Sequence, residues 1–496
     1  MTSATTNAAL AERYDTIPYA AVPHALTHPD RLAAVATFLG MTPPAVASCR
    51  VLEVGCSEGA NLIPMAAGLP SARFVGCDLS ARALALGRET IAALGLTNIE
   101  LAKEDLATLS ARHGHFDYII AHGVYSWVPA AVRDALFALA RDRLAPCGVM
   151  FVSFNALPGS HVRQAVWEVL HHGVDHLADP RARLDAARRL ARMIGDGARP
   201  QHEADDALRA EFRATADRTD SALYHDDLAV MNEPVYFHAF AAHAARFGLK
   251  YVAEAELHTM SAAGIAAEAR AYLTTLEPLE REQYLDFLRL RRFRQSLLCR
   301  TDAPADRAMQ PQRMHAMHVS ASESLLRAAA AGKAAELAGG LDPAGGGNGP
   351  TREFIDLLVA AAPAAVAVAD LKRRFPPAAL PRPLEAMLTD AYVANMVVLH
   401  VHRATPAVAA GERPIANPLA RLQARSREDV TSLLHARVRL PDPNARRLLA
   451  LLDGTRDRAV LANAMYDPAV GLDRDNAAAF VAHALVQFAK LALLAA

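Results

Sequence analysis

One acid, two glycines and a second acid stand where strand ends and a tight turn bring carboxylates and free backbone N–H groups towards one ligand site. In Arg50-Val-Leu-Glu-Val-Gly-Cys-Ser-Glu-Gly59, Val51, Leu52 and Val54 form the apolar run of a buried parallel strand. Gly55 and Gly59 bracket a tight turn into a helix over about 60–68, and glycine lets backbone approach a ligand closely. Free N–H groups in the first turn of that helix suit a carboxylate, while Glu53 can accept from an ammonium. A second apolar strand, Phe74 to Cys77, ends in Asp78, 25 residues after Glu53, where an acidic side chain grips a ribose diol. A third, Ile99 to Ala102, leads to Glu104 and Asp105, placed to accept from an adenine amino group. A fourth, Tyr118-Ile-Ile-Ala121, opens into His122-Gly-Val-Tyr-Ser-Trp127 at the carboxyl edge, where such sheets bind ligands.

A dinucleotide fingerprint, G-x-G-x-x-G, needs glycine at the third position of the loop, and Ser57 stands there. The pyrophosphate reading is weakened by this.

These residues need a scaffold, and the chain supplies one by alternation. Strands near 50–54, 73–77, 98–102, 116–121 and 148–153 alternate with helical stretches near 60–68, 80–94 and 130–143, the rhythm of a doubly wound parallel sheet. The alternation then breaks. Residues from about 161 to 230 carry Ala, Arg, His and Asp at helical spacing and read as a helical insertion. Regular signals resume with a helix from Pro234, ended by Gly248, and a strand over 249–257; a further strand-like run spans Phe293 to Cys299. These two strands are expected to complete the sheet as its sixth and seventh members.

At 496 residues the chain exceeds one ordinary core, and a prior of about 150 residues per domain suggests three units. The expected division is a core with an N-terminal lid over 1–160, a middle region over 161–301, a linker over 302–350 and a C-terminal domain over 351–496. Within the linker, Gly339-Gly-Leu-Asp-Pro-Ala-Gly-Gly-Gly-Asn-Gly-Pro350 is the most glycine-rich portion. The segments 354–401 and 445–494 read as winged-helix-like units.

Charge is balanced, 52 Lys+Arg against 53 Asp+Glu, so nothing global argues for nucleic acid or an anionic membrane. Over 351–496 the count is 18 against 14, a weak footprint for nucleic acid. Five cysteines, at 49, 56, 77, 147 and 299, are scattered and suit reduced thiols in a cytoplasmic setting. The start, Met1-Thr-Ser-Ala-Thr-Thr-Asn7, lacks the pattern of a secretory signal, and the alanine-rich tract 360–369 is too short to span a bilayer. His113-Gly-His115, His171-His172 and His315-Ala-Met-His318 lack companions at ligand spacing, so no metal is expected.

The motifs together resemble a known family. Tyr14-Asp-Thr-Ile-Pro-Tyr19, Glu53-Val-Gly-Cys-Ser-Glu-Gly-Ala-Asn61, Phe74-Val-Gly-Cys-Asp-Leu-Ser80, His122-Gly-Val-Tyr-Ser-Trp127 and Ser153-Phe-Asn-Ala-Leu-Pro-Gly159 are similar to class I S-adenosylmethionine-dependent methyltransferases with a methyltransferase regulatory domain. That group includes rickettsial protein lysine methyltransferases. The likeness continues through Asn232-Glu-Pro-Val-Tyr-Phe-His238, Arg291-Arg-Phe-Arg-Gln-Ser-Leu-Leu-Cys299 and Arg413-Pro-Ile-Ala-Asn-Pro418.

The resemblance implies a Rossmann-like seven-stranded core with helical insertions and a mainly helical, winged-helix-like C-terminal domain. It implies S-adenosylmethionine as cofactor, held by Glu53, Gly55, Cys56, Gly59, Asn61, Asp78, Leu79, Glu104, Asp105, His122 and Gly123. Lysine of a protein substrate is the implied acceptor. Rival readings are a small-molecule methyltransferase and a cofactor-sensing nucleic-acid binder.

Methyl transfer from a sulfonium is an in-line displacement, so the protein's task is positioning. A lysine acceptor must be neutral, and with a pKa of about 10.4 that costs roughly 4 to 5 kcal/mol at pH 7. An apolar, aromatic-lined pocket lowers the cost. Tyr14, Tyr19, Tyr125 and Trp127 are the candidate walls, with His122 and Asn155 as orienting groups and Tyr14 and Tyr19 as a lid. Trp127 reads equally well as core packing, and Asn155 as a turn residue.

Overall fold

The computed structural model describes residues 16–17, 19, 22–199, 202–341, 349–467 and 473–495. Its centre is a seven-stranded sheet of β1 (Arg50–Val54), β2 (Arg73–Asp78), β3 (Ile99–Lys103), β4 (Phe116–Ala121), β5 (Leu144–Asn155), β6 (Leu249–Glu254) and β7 (Phe293–Arg300). The order is β3-β2-β1-β4-β5-β7-β6. The first five strands run parallel, and β7 lies antiparallel between β5 and β6. The expected sixth and seventh strands thus do enter this sheet, across the helical insertion.

Both faces are covered, which is why the strands read as continuous apolar runs. Val51, Tyr118, Ile120 and Phe151 point into one core, while Leu52, Val54, Ile119 and Val152 point into the other. Strand order reverses between β1 and β4. Their carboxyl ends therefore splay around a crevice, the place where open parallel sheets take ligands.

The insertion is a three-helix unit, His161–Val174, Pro180–Asp196 and Glu203–Ala216, with its own core around Leu170, Leu184 and Phe212. The helix Phe237–Arg246 ends before Gly248, whose φ of +70° turns the chain into β6.

The segment read as a linker is not one. Residues 302–341 contain β8 (His318–Ala321) and the helices Glu323–Ala330 and Ala334–Leu341. β8 is the middle strand of a second sheet, between β9 (Val366–Ala367) and β10 (Val397–His400). Of the glycine-rich stretch, 342–348 lies outside the described residues. The unit built on this sheet shares one continuous core with the catalytic sheet through the helix Pro29–Phe38, where Phe38 meets Tyr392 edge-on at 5.9 Å. In sequence its apolar residues read as a separate domain, because the shared helix lies nearly 300 residues earlier in the chain.

A second C-terminal unit follows, with a hairpin of β11 (Asp429–Thr431) and β12 (Arg437–Arg439) and a separate core around Leu449, Leu461 and Phe488. Among the described residues, no helix is long and apolar enough to cross a membrane.

Candidate cofactor and acceptor site

The loop after β1 is fixed from both sides. Gly55 has φ +72°, and a Cβ there would stand 3.1 Å from the Val124 side chain, so both its conformation and its space favour glycine. The backbone N–H groups of Gly55 and Cys56 donate to the Cys77 carbonyl of β2. Asp78, at the tip of β2, accepts from the N–H of Ser57 through Oδ2 and from that of Ser80 through Oδ1, each at 2.8 Å. Ser57 itself sits at φ +50°, held there by this bond. Leu79 follows, half-buried. Gly59, again at positive φ, leads through Asn61 into the helix Leu62–Gly68, two residues later than the sequence suggests.

Glu53 is buried at the end of β1. One carboxylate oxygen, Oε1, accepts from Asn61 Nδ2 at 2.7 Å; the other, Oε2, is buried with no hydrogen-bond partner. Burial pushes its pKa up to about 8, against the Asn61 bond, with the nearby Asp78 charge adding to the rise. An orphaned buried acceptor beside a glycine loop fits a cationic donor group, and the cofactor's ammonium is such a group. Asn61 is held on every side: its Nδ2 also donates to Thr27 Oγ1, and its Oδ1 accepts from the His24 N–H at 2.8 Å.

Across the crevice, His122 follows β4. Its ring stacks on His24 at 3.9 Å between centroids, and it meets Phe293 edge-on at 6.4 Å. Burial, and then His24, lower its pKa to about 3. At neutral pH it is an uncharged wall rather than a proton acceptor. Gly123, exposed at φ +68°, donates its N–H to Ser153 Oγ.

Beyond Phe293 lies an open cavity of about 660 Å³. Glu256, His258, Arg292 and Phe293 line it from the sheet side, and Val393 and Ala394 from the first C-terminal unit. Below it, buried Arg294 binds Glu254 at 2.6 Å, Asp286 at 2.9 Å and Glu282 at 3.3 Å. This network locks β6, β7 and the helix Pro278–Arg289 into one floor.

Several sequence expectations move. Tyr125 is not a wall of the site: it is buried in the core under the sheet among Phe137, Phe154 and Phe240, and its hydroxyl lies 2.8 Å from His243 Nδ1. A short 3-10 turn, Tyr125–Trp127, places its ring in this core. Trp127 is half-buried at the end of that turn. Asn155 donates to Asn232 Oδ1 at 2.7 Å and tethers the chain returning from the insertion, as a turn residue would.

Glu104 accepts from the Ser110 N–H, Arg112 and His113, and Asp105 Oδ1 from the Ala107 N–H, so these acids shape the 104–113 turn. Tyr19 packs edge-on to His225 of the insertion at 5.5 Å. Tyr14 lies outside the described residues. The structure adds His24, Thr27, Phe293 and His435 to the site. No spacing signal finds them, since they come from three distant parts of the chain.

The sheet order, the glycine loop and the paired acids Glu53 and Asp78 define a class I methyltransferase with S-adenosylmethionine as its cofactor. Residues 51–148 match the methyltransferase domain family, 219–300 the family described as "predicted methyltransferase regulatory domain", and 412–471 the PKMT C-terminal winged helix domain. The chain belongs to the S-adenosylmethionine-dependent methyltransferases with a methyltransferase regulatory domain and is similar to the rickettsial-type protein lysine methyltransferases.

Two uncharacterized proteins of Rickettsia prowazekii (strain Madrid E) are similar to it. One is 35% identical over 298 residues, 59% of this chain and 54% of that protein; the other is 30% identical over 228 residues, 46% and 91% respectively. The chain thus spans about half the length of the first of these relatives. PKMT2 from Rickettsia typhi has the same fold, with a TM-score of 0.81 at 23% identity over 97% of this chain and 100% of that one. Its complex with AdoHcy matches at 0.79 and 22% identity, over 96% and 100%.

Proposed function

We propose that the protein transfers the methyl group of S-adenosylmethionine to lysine side chains of a protein substrate. The observation that carries this reading is the open cavity beside His122 and Phe293, walled jointly by the sheet and the first C-terminal unit. A pocket for a small molecule is typically enclosed on most sides. This one is open and lies between units, as a peptide segment requires. The match of 412–471 to the PKMT winged helix domain supports the same acceptor.

Bound cofactor supplies an electrophilic methyl group. The chain's own residues then do the positioning. Glu53, with Oε2 free, receives the ammonium, and Asp78, fixed by Ser57 and Ser80, receives the ribose diol. Phe293 presents aromatic surface to the acceptor, tolerating the methylated cation after transfer, and the uncharged His122 ring backs it. Glu256 at the cavity wall offers an acidic approach for a cationic side chain.

The test is to incubate the purified protein with methyl-labelled cofactor and a cell lysate. Label recovered on lysine after protein hydrolysis supports the reading. Label only in the small-molecule extract overturns it in favour of a small acceptor.

A further inference from the structure

The C-terminal unit reaches into the cofactor site. Its β11–β12 hairpin ends in a tight loop, in which Ser432 Oγ accepts from the N–H groups of Leu434 and Ala436. At the tip His435 adopts φ +57°, a conformation uncommon for any residue but glycine. That turn buries the imidazole, 5% exposed, and sets its Nε2 2.8 Å from Asn61 Oδ1. The contact joins residues 374 positions apart. A second tie runs beside it, from Arg427 to Glu58 of the glycine loop at 2.9 Å.

The proton positions follow from the partners. Asn61 Nδ2 donates to Glu53, so Oδ1 is the acceptor, and His435 must donate through Nε2–H. His435 Nδ1 is then a lone pair, buried and without a partner, like Glu53 Oε2. The hairpin therefore ends in the same hydrogen-bonded chain, His435 to Asn61 to Glu53, that presents the orphaned acceptor.

We propose that His435 is a positioning residue of the cofactor site: through Asn61 it holds Glu53 in the conformation that receives the cofactor's ammonium, so cofactor binding and docking of the C-terminal unit are coupled. This rests on the assignment of the cofactor to the Glu53–Asp78 crevice. Coupling between two sites is reciprocal. Occupancy of the crevice then favours the docked hairpin, and a docked hairpin raises affinity for the cofactor.

Two measurements on the full chain test it. In calorimetric titration with AdoHcy, His435→Ala is expected to weaken binding about tenfold, while His435→Gln, which keeps an N–H donor, stays within about threefold of wild type. In hydrogen exchange of the wild-type protein, saturating AdoHcy is expected to slow exchange of amides in 429–439 severalfold, an effect that a merely structural hairpin would not show. Wild-type affinity in a folded His435→Ala protein overturns the proposal and leaves the cofactor assignment intact. If that variant does not fold, unchanged exchange of 429–439 on AdoHcy binding overturns it alone. Absence of AdoHcy binding to the wild type overturns both.

Discussion

The Oδ2 atom of Asp78 accepts from the backbone N–H of Ser57 at 2.8 Å, so the acid at the tip of β2 also holds the glycine loop after β1 in shape. A hydrogen bond to a charged group is worth about 1.5 to 3 kcal/mol, roughly ten- to a hundredfold in affinity. Asp78→Ala removes both this bond and the diol acceptor, and AdoHcy affinity is expected to fall at least tenfold. Asp78→Asn keeps an acceptor oxygen for Ser57 and should lose less. Calorimetry on both variants checks this; equal losses would show that loop shape contributes nothing.

Glu53 is costly to bury, and that cost has a pH signature. Its pKa rises from an ordinary 4.5 to about 8 through burial. Between those values the unfolded chain carries the charge while the folded protein holds the proton, so the unfolded state binds fewer protons. Stability without cofactor therefore falls as pH rises from about 4.5 to 8 and levels above that. Glu53→Gln lacks this term. Its melting temperature is expected to match wild type near pH 4.5 and to exceed it at pH 8.5, while its affinity for AdoHcy drops at least tenfold. Thermal melts at both pH values with and without AdoHcy decide it, and a variant no more stable than wild type at pH 8.5 refutes the assigned cost.

The halves of this site differ in how far the sequence exposes them. Glu53, Gly55, Gly59 and Asp78 are legible because the strand-turn-helix that positions them is local, and its apolar run and glycines carry the geometry. Phe293 and β7 are legible as a strand, although the regular alternation has broken before it and β7 runs antiparallel to β5. His24 against His122, and His435 against Asn61, are not. Each pairs loops that meet only after distant units have packed, and a lone histidine carries no period. The missed domain arrangement has the same cause: the helix Pro29–Phe38 shows an ordinary buried pattern, and nothing in it tells that one of its partners is Tyr392. Tyr125 differs for another reason, a short 3-10 turn that places its ring in the core under the sheet.

Arg294 is fully buried with Glu254, Asp286 and Glu282 around it and Phe237 4.0 Å beneath its guanidinium. Removing one partner of such a network leaves uncompensated buried charge, typically at a cost of about 3 to 5 kcal/mol. Arg294→Met is expected to destabilise the protein by that amount in denaturant unfolding and to deform the cavity floor. Since Arg291 also contacts Asp286, at 3.0 Å, each arginine partly compensates for loss of the other, and the double variant Arg291→Met/Arg294→Met should cost more than the sum of the single variants. Full additivity would mean that the two arginines act independently.

Tyr125 offers a clean separation of packing from chemistry. Its hydroxyl bonds His243 Nδ1, and His243 Nε2 in turn bonds Asp134 at 2.8 Å, so the phenol end-stops a short polar chain on the far side of the sheet from the acceptor cavity. Tyr125→Phe keeps the ring among Phe137, Phe154 and Phe240 and removes only that bond, a loss of about 1 kcal/mol. The expected result is a small fall in melting temperature with kcat and KM for the methyl acceptor within about twofold of wild type. A tenfold fall in kcat at unchanged stability would return Tyr125 to the acceptor site. Phe293→Ala is the contrasting variant: it trims a half-exposed ring from the cavity wall beside His122, so stability should barely change while acceptor KM rises severalfold.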